Sequence, residues 1–185
     1  MQLISWTVLM VCWFAWAYPF IFRAPHHQKR GSISAPGATL VGLMLEGISI
    51  FIAFVFRLPE DQPAGFIRMP LSLICGPIAA MLSYDAVSHL GRQFRITAGV
   101  YHDHELVTTG PYAIVRHPIY TSLLAILLCT LLLLTPWPWI FISLIFFVTG
   151  TEVRVRAEDQ LLASRFGEAF ERYRKSAPAY IPFVR

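Results

Sequence analysis

The sequence predicts an all-α, polytopic membrane protein with about five transmembrane helices, the last two forming a proline-broken helical hairpin, plus a cytoplasmic C-terminal helical extension. Three observations predict it. Of 185 residues, 56% are hydrophobic and only 14% charged, and the mean hydropathy is +0.56, which leaves too little polar surface to cover a water-facing globule. The apolar residues fall in runs long enough to cross a bilayer, not at the one-face spacing of a soluble helix. The longest run is broken by Thr135-Pro136-Trp137-Pro138.

A hydrocarbon core about 30 Å thick takes roughly 20 residues per helix, and the runs are read against that length. The first covers 4–22. Ala15-Trp16-Ala17 has the small-x-small form of a secretory cleavage site, but no basic residue precedes the run and Tyr18-Pro19-Phe20-Ile21-Phe22 prolongs it, so it reads as a retained span. The second covers 37–56 and the third 70–90. The fourth, 119–150, is 32 residues long, too many for one crossing, and two prolines two apart cannot continue a helix through that point. It therefore divides into a tight hairpin with arms of about 13 to 16 residues, short unless the bilayer thins or the arms are tucked against other helices.

Beyond Gly150 the chain turns charged, so the last membrane helix is expected to emerge and continue into water. A short helix over 168–175 follows, and Pro178 and Pro182 make the end extended. Residues 1–185 read as a single domain, with three spans in 1–90 and the polar loop, hairpin and final helices in 91–185. The chain ends Pro182-Phe183-Val184-Arg185, which is no CaaX box, so no lipid anchor of its own is expected.

Charge tests the span count. Fifteen Lys and Arg oppose eleven Asp and Glu, but the basic residues flank apolar runs, so anionic lipid is the partner and nucleic acid is not. With five spans, the first loop, the third loop and the tail share a side and hold 13 of the 15 basic residues; only Arg57 and Arg68 fall opposite. That side is expected to be cytoplasmic and the N-terminus outside, in a plasma or inner membrane, or the endoplasmic reticulum of a eukaryote. No obligate protein partner is evident. Cys12, Cys75 and Cys129 each lie within an apolar run, with no CxxC, and support neither a disulfide framework nor a zinc site. His102 and His104 lack a third ligand nearby, so no metal is expected.

Polar sequence concentrates in the loop 91–118 and from Glu152 onward, both on the expected cytoplasmic side, and a site should form where they meet. In order these hold His104-Glu105-Leu106-Val107, Gly110-Pro111-Tyr112, Arg116-His117-Pro118-Ile119-Tyr120, Arg154-x-x-x-Glu158, Phe166-Gly167, Tyr173 and Ile181-Pro182. These blocks resemble the isoprenylcysteine carboxyl methyltransferase and phospholipid methyltransferase superfamily of integral membrane enzymes, over roughly the C-terminal half. The resemblance implies S-adenosyl-L-methionine at the cytoplasmic face and a lipophilic acceptor arriving from the bilayer. It implies cofactor contact by His104, Glu105, Leu106, Val107, Tyr112, His117, Pro118, Ile119, Tyr120 and Glu158, with Arg154 facing the acceptor. Two positions depart from the pattern: the acidic pair is Glu158-Asp159 where Glu-Glu is frequent, and Ser122 stands where glycine is common.

The residue types suit that chemistry. Methyl transfer from a sulfonium is one in-line displacement, so the protein must align donor and acceptor and exclude water. Glu158 can bind ribose hydroxyls or an ammonium, Tyr112 and Tyr120 can lie against cations, and Arg154 offers a fork for a carboxylate or phosphate. The acceptor stays open among an isoprenylcysteine carboxylate, a phospholipid amine, and small thiols or other lipids. An amine must first lose a proton, and His117 is the one well-placed base for that. The alternatives are a membrane reductase resembling the steroid 5-alpha-reductase group, which uses reduced nicotinamide, and a non-catalytic membrane protein. Simpler roles stand beside these: Arg116 and Arg154 as snorkelling anchors, Glu158 as the i, i+4 partner of Arg154, and Tyr112 and Tyr120 as belt aromatics. Glu46, in mid-span, is protonated, paired within the bundle or lining the acceptor's path. Asp85 and His89 read as a pair on one helix face.

Overall fold

The computed structural model describes residues 2–23, 33–59, 62, 65–94, 99–100 and 105–182. Among the described residues there are six α-helices: α1 Gln2–Phe22, α2 Pro36–Val55, α3 Arg68–Leu90, α4 Pro118–Leu134, α5 Trp137–Phe166 and α6 Glu168–Ser176. The one sheet pairing among the described residues is a two-residue antiparallel bridge, Ile33–Ser34 (β1) with Gly99–Val100 (β2).

Helix ends fall where the chain chemistry puts them. Pro118 sits in the first turn of α4, where its missing N–H has no intrahelical use, and His117 before it is non-helical (φ −125°, ψ 65°). Thr135 and Pro136 alone separate α4 from α5, while Pro138 lies within the first turn of α5. Gly167, at φ 53°, ends α5 and begins α6, a conformation that favours glycine. At 1.5 Å per residue the 30 residues of α5 extend about 45 Å against about 30 Å of hydrocarbon, so its charged C-terminal part projects from the bilayer. Among the described residues four helices, α1, α2, α3 and α5, are long and apolar enough to cross a membrane, and α4 is apolar but has 17 residues. The protein is an integral membrane protein.

The hairpin is real at its turn but loose between its arms. Leu127 and Leu131 of α4 meet Ile140 and Phe147 of α5, yet the main partner of α4 is α3 and that of α5 is α2. Burying apolar surface drives helix association weakly in lipid, so small residues and interhelical hydrogen bonds do much of the work. Ser49 Oγ and Ser143 Oγ meet at 2.8 Å, Trp13 Nε1 donates to Thr130 Oγ1 (3.1 Å), Trp16 Nε1 to Ser122 Oγ (3.1 Å), and Ser72 Oγ to the Cys129 carbonyl (2.9 Å). Each such bond contributes on the order of 0.6 kcal/mol. Leu9, Ala79, Ala125, Ile126 and Cys129 fill the space among α1, α3 and α4. Leu3, Val11, Phe14 and Phe22 of α1 remain exposed, as lipid-facing side chains should.

The two ends of the bundle differ. At one, Arg68 Nη2 donates to the carbonyls of Leu131 (3.0 Å) and Thr135, closing the C-terminus of α4 beneath the Trp137 ring. At the other, Arg23 lies 4.4 Å over Tyr84, so α1 and α3 finish together beside the start of α4. The polar cluster is at this second end. Asp85 and His89 are not a side-chain pair as expected: His89 Nδ1 lies 2.8 Å from the backbone carbonyl of Asp85.

Candidate active site

Consecutive residues on a helix point about 100° apart, so Glu158 and Asp159 on α5 can grip one ring from two sides. They do so at His117. Its Nε2 lies 2.8 Å from Asp159 Oδ1 and its Nδ1 lies 3.3 Å from Glu158 Oε2. A ring facing a carboxylate at each nitrogen is best served as imidazolium, with both nitrogens donating. Burial opposes that charge, but the hydrogen bonds and the nearness of Asp159 and Glu158 prevail, and the pKa is pushed up to about 9. Asp159 is shared: its Oδ2 accepts from Arg116 Nη2 at 3.0 Å.

The local backbone holds this group from outside. Arg116 and His117 donate their N–H groups to the carbonyls of Pro178 and Ala179, both at 2.8 Å, so the extended end of the chain pairs with the strand-like approach to α4. Arg116 Nη1 also donates to the carbonyls of Arg174 (3.2 Å) and Ala177, and Thr121 Oγ1 to that of Tyr180 (2.6 Å). Phe170 and Tyr173 of α6 pack inward beside Ala177, one turn apart on one face.

A second half of the site reaches into the bundle. Tyr120, one turn into α4, donates its hydroxyl to Glu158 Oε1, and the Arg154 guanidinium lies 4.7 Å over its ring. Arg154 Nη1 donates to Glu46 Oε2 at 2.7 Å, and Thr151 Oγ1 to Glu46 Oε1 at 3.0 Å. Arg154 is thereby more than a snorkelling anchor: it is 8% exposed and points between α2 and α5. Of the carboxylates at His117, Glu158 keeps 25% of its side-chain surface exposed and Asp159 12%, so Glu158 is the better placed to meet a ligand.

His117, Tyr120, Arg154 and Glu158 are thus brought together, with Pro118 as the buried turn beneath them. The other expected residues are placed elsewhere or differently. Ile119 packs beside Val87 and Phe94, Leu106 joins Phe170 and Tyr173 against α6, and Glu105 is exposed. Val107 is half-buried. Tyr112 is buried at the end of α3, where its carbonyl accepts from Tyr173 (2.6 Å), and burial raises its hydroxyl pKa well above the usual value. His102 and His104 lie outside the described residues.

Three members of the cluster had no assigned role in the sequence reading. In sequence, Asp159 is legible only as a departure in an acidic pair, Arg116 as a motif residue with no role beyond an anchor, and Thr151 carries no signal of its own. Their signals were faint: a second carboxylate adjoining Glu158, an arginine adjoining His117, and a hydroxyl three residues before Arg154. S-adenosyl-L-methionine carries hydroxyls and an ammonium that need a carboxylate, and Glu158, fixed by His117 and Tyr120 yet part-exposed, fits that need.

A family model described as the isoprenylcysteine carboxyl methyltransferase (ICMT) family matches residues 72–164, from α3 through most of α5. The chain is 31% identical over 139 residues to the protein-S-isoprenylcysteine O-methyltransferase of Schizosaccharomyces pombe. That alignment covers 74% of this chain and 55% of the yeast protein, so the chain spans about half the length of the curated relative it matches. The matched segment contains Arg116, His117, Tyr120, Arg154, Glu158 and Asp159 and leaves out Glu46, α6 and the tail. Joined to the helical bundle and to this clustering of the motif residues, the match establishes that the chain belongs to the isoprenylcysteine carboxyl methyltransferase family.

Proposed function

We propose that the protein transfers a methyl group from S-adenosyl-L-methionine to the carboxylate of a lipophilic, bilayer-partitioned acceptor, an isoprenylated cysteine or a close analogue. The observation that carries the choice of acceptor is the setting of His117, a buried ring with a carboxylate at each nitrogen. A phospholipid ammonium needs a base before it can attack, and His117 is bracketed by two carboxylates that hold its proton. A carboxylate is already nucleophilic and asks for no base. The printed name of the yeast relative, an O-methyltransferase of isoprenylcysteine, supports the same choice.

The chain's own residues would act by placement. Glu158 holds the donor's polar groups, with Tyr120 and His117 fixing its carboxylate. Arg154, at the depth where α2, α4 and α5 meet, orients the acceptor carboxylate. Asp159 and Arg116 keep His117 and the tail in position, and the tail with α6 excludes water from the outer side. When bound, S-adenosyl-L-methionine supplies an electrophilic methyl group on a sulfonium. The concentration of basic residues on this side supports a cytoplasmic position for this end of the bundle.

The test is incubation of the lipid-reconstituted protein with methyl-labelled S-adenosyl-L-methionine and either an S-prenylated N-acylcysteine or phosphatidylethanolamine. The expected result is label in the prenylated acid that alkali releases as volatile methanol, the signature of a methyl ester. Alkali-stable label in the amine lipid overturns the carboxylate reading, and label in neither overturns methyl transfer to these acceptor classes.

A further inference from the structure

α2 lies wholly outside the segment that carries the family match, yet it is shaped around Arg154 at two positions one turn apart. A Cβ at Gly42 would fall on Arg154 Cγ, 2.7 Å from its Cδ and 2.8 Å from the Gly150 carbonyl. The aliphatic stem of Arg154 therefore occupies the groove that Gly42 leaves. Four residues on, Glu46 meets the guanidinium head at 2.7 Å and is 2% exposed. Thr151, fully buried, holds the other oxygen of the same carboxylate. An ionisable group this deep in a span is expensive, and a bundle needing only packing would have an apolar residue there.

We infer that Glu46 is a positioning residue for the acceptor: its carboxylate sets the Arg154 guanidinium over Tyr120 and is the counter-charge that an incoming acceptor carboxylate must share. This rests on the function proposed above. The connection is continuous from α2 to the donor end, through Glu46, Arg154, Tyr120 and Glu158 to His117. A guanidinium already neutralised by a fixed carboxylate holds a second one loosely and in one orientation. Such an arrangement favours release of an uncharged ester and alignment during attack over tight binding of the substrate.

The test is steady-state kinetics of Glu46→Gln, Glu46→Asp and wild type on the S-prenylated N-acylcysteine, with the Kd of S-adenosylhomocysteine measured alongside. Glu46→Gln is expected to lower kcat about tenfold, through lost alignment, while lowering the acceptor KM as well, because Arg154 no longer shares its charge. The Kd of S-adenosylhomocysteine should stay within about twofold of wild type, and Glu46→Asp, which keeps the charge, should restore the wild-type KM and part of kcat. A purely structural ion pair would not split kcat and KM in the same direction. Wild-type kinetics in Glu46→Gln, or loss of S-adenosylhomocysteine binding with the acceptor KM unmoved, overturns the inference. Should Glu46→Gln fail to fold, Thr151→Val keeps the charge and removes one of its holds; kcat must then fall with cofactor affinity intact, and an unchanged kcat overturns the inference. Absence of ester formation by the wild type refutes the proposed function, and the inference with it, whereas ester formation with unaltered Glu46→Gln kinetics refutes the inference alone.

Discussion

Alkaline pH should weaken this protein through one residue. His117 has its pKa pushed from 6.5 to about 9 by Asp159 and Glu158, against the opposing effect of burial. A raised pKa means that the folded state holds the proton more tightly than the unfolded chain. The stabilisation is therefore fully present below pH 6.5 and is lost as pH rises through 9. The size of the shift corresponds to about 3 kcal/mol. The assay is thermal unfolding in detergent between pH 6 and 10, paired with kcat/KM over the same range. Wild-type Tm should be level below pH 6.5, fall steadily above it and level off beyond about pH 9, while activity, which follows the folded-state proton, should hold to about pH 8 and then decline. Asp159→Asn, which removes one of the two carboxylates at the ring, should bring the loss to lower pH. Activity that climbs through pH 6 to 8 as a histidine base is unmasked, with Tm indifferent to pH up to 10, would refute the imidazolium and the carboxylate acceptor argued from it.

Three further outcomes follow from the same geometry. Glu158→Gln should weaken S-adenosylhomocysteine binding by at least about tenfold in a correctly inserted protein, read by calorimetry, since a charged hydrogen bond carries about 1.5 to 3 kcal/mol. Gly42→Ala improves helix propensity by about 1 kcal/mol but drives a methyl into Arg154, so ester formation should collapse even where Tm does not. Arg68→Met removes the donor to the Leu131 and Thr135 carbonyls at the far end, and should cost about 1 to 3 kcal/mol of stability while leaving cofactor affinity unchanged.

The parts of this fold that could be read from sequence are those whose cause is local. Apolar runs and prolines act within a few residues of themselves, so the spans and the break at Thr135-Pro136 emerge within about two residues of their observed ends. Gly167 likewise separates α5 from α6 by its own backbone freedom. Which helices pair is not local. The hairpin suggested that α4 and α5 embrace, but α5 lies against α2 because Gly42 and Gly150 let those backbones approach and Ser49 and Ser143 bond across them. Arg154 and Glu46 are 108 residues apart, and each sequence position carried only the information that a charge was present. The pairing of Arg116 and His117 with Pro178 and Ala179 uses backbone groups alone, which no side-chain pattern records. The Arg-His-Pro-x-Tyr motif announced its site because its residues serve the cluster directly. Asp159 hid beside Glu158 because the sequence cannot say which carboxylate faces the ligand.

Charge balance joins the two ends of the site. Three carboxylates, Glu46, Glu158 and Asp159, face three cations, Arg116, Arg154 and the His117 imidazolium, within a cluster that is largely buried. Such a group tolerates burial because no charge stands alone, and it resists any ligand that would leave it with an excess. On the proposed reaction, a cationic donor and an anionic acceptor enter together and leave as a neutral thioether and a neutral ester, so the cluster is balanced at both ends of the turnover. A neutral amine acceptor would instead leave a new ammonium in the bundle, with His117 already protonated and no carboxylate in the cluster without a partner. Each acid here is already bound to a cation. The product's positive charge would then be opposed by Arg154 at the very place where the acceptor arrives, and release of the carboxylate ester meets no such opposition.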